Sequence, residues 1–178
     1  MEFNSKIATT KEQSERLLAL GLKPGTADMV YHYTKSRVKA LEWELKPQPP
    51  TLRGKFWTPE RIAKLSSPFH KHADGTPMTG EEIFDELWGK DIPAWSLSRL
   101  WELLPVEVPD PKPEFQPHHP VLIKDKPGHV VSIRRHTADC LVGTYRESNP
   151  IECCVSIIDW LIKNKHFNKE YIKIDRED

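Results

Sequence analysis

The chain has 178 residues, 16 of them proline, and its 26 Lys and Arg are balanced by 26 Asp and Glu. That neutrality excludes a histone-like polycation and an acidic tail protein, and the length suits one ordinary domain or one with a small appendage. A hydrophobic share of 38% with six Trp, six Phe and four Tyr excludes a disordered chain, because aromatic-poor sequences are the ones that cannot offset folding entropy.

The opening MEFNSKIATT carries no apolar run behind its lysine, so no secretory leader is expected. Thr10 with Gln13 is a capping-box pattern, and Leu17, Leu18 and Leu20 before Gly21 predict a helix over Lys11 to Leu20. Met29 to Leu45 holds Val30, Tyr31, Tyr33, Val38, Leu41, Trp43 and Leu45 without one clear period, which leaves helix and extended chain both open. Thr58-Pro59 predicts an N-cap with proline at the first helical position, opening a helix over Glu60 to Leu65. Thr79 with Glu82 repeats the capping box ahead of Ile83, Phe84, Leu87 and Trp88, and Ser96 starts a further helix through Leu104.

Six prolines between Pro105 and Pro120 argue against helix and central strand, and predict an extended connector. Beyond it Val121 to Lys124, His129 to His136 and Cys140 to Arg146 read as a three-stranded antiparallel meander. Asn149-Pro150 with Glu152 then caps a helix whose apolar stripe is Ile151, Cys154, Val155, Ile158, Leu161 and Ile162. The expected class is α+β. Residues 1–104 form a helical N-terminal portion, 105–120 a Pro-rich connector and 121–178 a meander packed by one amphipathic helix, an arrangement that one compact domain also accommodates.

No apolar stretch approaches the roughly 20 residues of a membrane helix, so no membrane partner is expected. Three cysteines, two of them the adjacent Cys153 and Cys154, make no disulfide framework and no Cys-x-x-Cys site. A reducing cytoplasm is the expected setting. Candidate chemistry is sparse. His70-Lys71-His72-Ala73-Asp74-Gly75 resembles the His-x-His-x-Asp-His signature of the metallo-β-lactamase superfamily, which would make His70, His72 and Asp74 ligands of a metal-dependent hydrolase. Gly75 stands where the last histidine is required and no buried strand precedes the loop, so a solvated turn is the preferred reading. His118 and His119 read as exposed residues of the connector, pointing opposite ways. No phosphate loop, dinucleotide fingerprint or nucleophile elbow is present, and no cofactor is expected.

The neutral total conceals an asymmetry. Residues 35–64 hold eight Lys and Arg against three acids, interleaved with Trp43, Phe56 and Trp57, whereas residues 81–114 hold nine acids against three bases. Basic charge with stacking aromatics suits single-stranded nucleic acid, and Lys39, Arg53, Lys55 and Trp57 are the candidate contacts. The plainer reading pairs the two stretches within one molecule or across a dimer.

Three strings carry a resemblance: Thr10 to Leu22 with Thr26-Ala27-Asp28-Met29, Pro93-Ala94-Trp95-Ser96-Leu97-Ser98 leading into Leu103-Leu104-Pro105, and Asn149-Pro150 to Trp160-Leu161-Ile162. In that order they resemble small uncharacterised proteins of prophages and mobile elements of gut bacteria. The resemblance implies provenance and a shared framework, and supplies no activity or site. The function expected is therefore a non-catalytic accessory or interaction protein, its partner another protein or a second copy of itself. A nucleic-acid-binding module is the alternative, and the metal hydrolase the second.

Overall fold

A computed structural model describes residues 7–33, 43–47, 58–65, 70–126, 128–135 and 141–173. Among these it is a mixed helix-and-sheet protein with two three-stranded antiparallel sheets. The chain divides into two units that do not follow it in order: Met1–Thr26 with Trp95–Asp178, and Ala27–Ala94 between them. Residues 105–120 lie inside the first unit.

In the first unit, α1 (Lys11–Ala19) starts at the expected capping box, with both reciprocal bonds between Thr10 and Gln13 formed. Gly21, at φ +89°, then takes the left-handed conformation that stops the helix. Trp95 is fully buried and ties the N-terminal segment to the return of the chain. Its backbone N–H donates to Thr9 Oγ1 at 3.0 Å, the Thr9 N–H donates to its carbonyl at 2.9 Å, and its indole Nε1–H donates to Thr26 Oγ1 at 3.0 Å. Arg99, on the short helix α4 (Leu97–Glu102), adds a bond from Nε to the Thr26 carbonyl at 2.7 Å.

The second sheet has the order β4-β5-β6, from β4 (His119–Lys124), β5 (His129–Arg134) and β6 (Leu141–Glu147). Each strand pairs antiparallel with the next, His119 opposite Arg134 and Val131 opposite Tyr145. The first strand begins two residues earlier than expected and includes Pro120, which an edge strand tolerates. The register shifts between Ser132 and Ile133, and across from that shift Gly143 sits at φ +63°. A Cβ there would come within 3.1 Å of Ile157 and 3.2 Å of Trp160, so the glycine also admits the helix to the sheet.

That helix is α5 (Pro150–Lys163), with Asn149 accepting from the Ile151 N–H at 3.0 Å and proline in the first turn. Ile151, Cys153, Cys154, Val155, Ile157, Ile158 and Leu161 are all fully buried. The expected stripe lacks Cys153 and Ile157. They are buried as well because α5 is covered on two sides, by β5 and β6 and by α1 and α4. Glu152 anchors α1 to it, accepting from Gln13 Nε2 at 2.5 Å and from Arg16 Nη1 at 2.8 Å.

The other unit adds a sheet to the N-terminal portion expected to be helical, within the stretch left open between helix and extended chain. Met29–Tyr33 (β1) is a central strand flanked by β2 (Trp43–Lys46) and β3 (Ile92–Ala94), both antiparallel to it. The absence of a helical period over Met29 to Leu45 is thus explained by extended chain at both of its described ends. The helices α2 (Pro59–Leu65) and α3 (Gly80–Trp88) occur where their caps place them. They pack together at Gly80, where a Cβ would collide with the Pro59 carbonyl.

Candidate functional site

The six-proline stretch is not the extended connector its composition suggests. Val108 and His118 exchange two backbone hydrogen bonds, of 2.7 and 2.8 Å, and so close a loop over residues 109–117. Within it the Phe115 N–H donates to the Lys112 carbonyl at 3.1 Å, so the chain turns back on itself. Residues 111–116 are exposed, yet the two residues at the base are buried, Val108 and His118 each at 2%. Alternation along the strand makes Pro120 the next backbone position to face outward after His118, and it has no N–H to offer.

One side chain pins this loop. Arg135, just past the end of β5, forms an ion pair from Nη2 to Asp110 Oδ2 and donates from Nε to the Gln116 carbonyl at 3.1 Å. Its guanidinium lies 4.6 Å from the centroid of the Phe115 ring, with Lys112 Nζ 5.8 Å from the same ring. Asp110 is itself set by proline on both sides, and its Oδ1 accepts from the Lys112 N–H at 2.9 Å. His118 Nε2 stands 3.7 Å from the same Asp110 oxygen that Arg135 holds. The Asp110 and Arg135 side chains are only 9% and 14% exposed. His118 Nδ1 is buried with no hydrogen-bond partner. A fixed guanidinium, a carboxylate and an imidazole thus converge beneath a loop that displays Phe115, 47% exposed, and Val106, 84% exposed, stands just before its base.

Of the histidines read as an exposed pair, His118 is therefore buried, which corrects that reading, and His119 donates from Nδ1 to the Val106 carbonyl at 3.0 Å. The hairpin-like turn carrying His70, His72 and Asp74 is held by backbone bonds between His70 and Met78 and between His72 and Thr76. Asp74 closes its own turn, accepting from the Thr76 hydroxyl at 2.6 Å and the Thr76 N–H at 2.9 Å, and these bonds hold its carboxyl below the usual range. His72 Nε2 lies 3.3 Å from Glu82, whose carboxyl is lowered mainly by the Thr79 backbone N–H and hydroxyl. Among the described residues no group of three or more His, Cys, Asp or Glu side chains is placed to hold a metal ion. Lys39, Arg53, Lys55 and Trp57, the nucleic-acid candidates, lie outside the described residues.

Cys153 and Cys154 are free and buried. Cys153 Sγ–H donates to the His129 carbonyl at 3.2 Å, and burial pushes the Cys154 thiol up to about 12, so neither is an activated nucleophile. No helix of the described residues is long and apolar enough to cross a membrane.

Asp110, Phe115 and Arg135 lie too far apart in the sequence to be read from it as one site. The one local signal is Pro109-Asp110-Pro111, an acid whose backbone is stiffened on both sides. No family model matches the chain, and no curated protein or solved structure matches it.

Proposed function

We propose that this chain is a non-catalytic accessory or interaction protein of the cytoplasm, encoded by a phage or mobile element, that recognises a protein partner through loop 109–117. The observation that supports this is Phe115, a half-exposed aromatic held against Arg135 rather than left to swing freely. An aromatic anchor that is already ordered costs little conformational entropy when a partner covers it, and such residues dominate binding energy at protein interfaces. Compact surface loops whose two ends meet are frequently functional, and this one closes on the paired Val108 and His118. The three matched strings of the resemblance include the caps and core contacts of the first unit, such as Thr10 with Gln13 and Trp95 with Thr26, and leave the loop apart. A shared framework with a separate recognition loop is consistent with that division.

The test is a photo-crosslinking amino acid placed at position 115, with the same group at exposed Lys124 as the control. A discrete adduct from position 115, lost when Arg135 is replaced by Ala, supports the reading, and a second copy of the chain is one identity the adduct can have. Equal adduct formation at both positions, or none at 115, overturns it.

A further inference from the structure

We propose that the outer edge of β6 is a self-association site, where Thr144 to Arg146 pair antiparallel with the same residues of a second copy of the chain. The sheet β4-β5-β6 is open, and its two outer edges are finished differently. Along β4, Val108 covers the backbone of His118, Pro120 has no N–H to offer, and Lys124 sets a charge at the far end. The bonds to Val108 also fix the directions of the backbone groups. His118 turns away from β5, so by alternation His119 turns toward it, and His129 and Val131 of β5 turn to β6. They meet Glu147 and Tyr145 there, which leaves the N–H and C=O of Thr144 and Arg146 pointing out of the sheet. Both residues are exposed, and among the described residues no backbone group meets theirs on that side. Arg146 does not shield the edge either. Its guanidinium is drawn back to the turn between β4 and β5, with Nη2 2.9 Å from Asp125 Oδ2 and Nη1 donating to the Lys126 carbonyl at 3.5 Å.

The pattern along β6 selects a second copy as the occupant. Gly143, at φ +63°, interrupts the alternation where the register shifts, so the open stretch holds just two outward positions. A two-fold axis through Tyr145 sets Thr144 of each copy opposite Arg146 of the other and uses both positions, in four backbone hydrogen bonds. It also brings Tyr145 beside its counterpart, and facing aromatics on paired strands attract. An axis through Arg146 opposes two like charges, and one through Thr144 sets Arg146 against Val142, whose backbone turns to β5. Pairing about such an axis closes on itself. The joined sheet has six strands, three from each copy, and ends at each side on a β4 edge carrying Pro120 and Lys124, so addition stops at two.

The experiment is sedimentation equilibrium of the full chain over a range of concentrations, with hydrogen exchange read amide by amide by NMR. A reversible dimer is expected. Exchange at Thr144 and Arg146 is expected to slow in step with it, while Tyr145 and Glu147, already bonded to β5, hold their rates. T144P removes two of the four bonds without touching the β5 ladder, and is expected to weaken the dimer about thirtyfold. K124P, the same change at an outward position of β4, is expected to leave it intact. A chain that stays monomeric up to about 1 mM overturns the pairing, whether another protein's strand or water then meets the edge. A dimer in which Thr144 and Arg146 exchange as fast as in the monomer, or one that K124P weakens as much as T144P does, overturns the site. The exchange measurement needs no substitution, so it decides the matter if T144P fails to fold. None of these outcomes bears on loop 109–117, on which the pairing does not rest.

Discussion

At the scale of single residues, burial decides which polar groups matter. Arg135 and Asp110 are nearly enclosed, and removing either leaves the other without its counter-charge. R135A is therefore expected to cost about 2–4 kcal/mol in urea unfolding, and to speed amide exchange across 109–117 more than in α5. The exposed pair of Arg146 with Asp125, 2.9 Å apart, is expected to be worth under about 1 kcal/mol by the same measurement. The thiols give a pH dependence with a definite sign. Burial raises both, Cys154 to about 12 from an ordinary 9.0. The unfolded chain then loses these protons before the folded one does. Stability is level below about pH 8.5 and falls as pH rises from there toward 12, by up to about 1.4 kcal/mol per unit from Cys154, with Cys153 acting in the same direction. Unfolding midpoints measured from pH 7 to 10 check this, and alkylation of both cysteines should track global unfolding. Acid-side loss is not expected from them.

Among the elements, local chemistry was legible wherever a few neighbouring residues suffice. Thr10 with Gln13, Thr79 with Glu82 and Asn149 with Pro150 state their helix starts within four residues, and all three helices begin there. The meander was legible from alternation, and α5 from its repeating apolar positions. Strands β1 and β2 were not, because β1 is flanked on both sides by paired strands and the chain from 29 to 45 shows no single period. Residues 105–120 read as a connector because proline content reports backbone stiffness alone, and loop 109–117 within them goes unmarked. Its fold depends on Arg135, 25 residues away from Asp110, and nothing local announces that meeting. Two substitutions test the packing of the elements. Gly143→Val combines a left-handed backbone with a side chain driven into Ile157 and Trp160, and is expected to cost about 2–4 kcal/mol in denaturant titration. Ile158→Asp puts an unpaired charge into the fully buried side of α5 and should abolish cooperative unfolding of the first unit.

For the whole molecule, the order of the chain and the order of the units differ. The chain leaves the first unit after Thr26 and rejoins it at Trp95, and those two residues are hydrogen bonded to one another. The middle unit is therefore an insertion whose two ends are held together by the unit that hosts it. Replacing residues 28–93 by a short Gly-Ser linker should leave a chain that still unfolds cooperatively with its helical signal, by far-ultraviolet circular dichroism and denaturant titration. A chain that is unfolded after this replacement would show that the host needs its insert. The pairing of Val108 with His118 has a further consequence at this scale. It covers the outward backbone groups of His118, one residue before the first strand of the meander, and Pro120 blunts the next outward position. Chains in which loop 109–117 is freed would lengthen the bare margin of that strand at its start, leaving Pro120 as the guard against chains adding to one another strand upon strand.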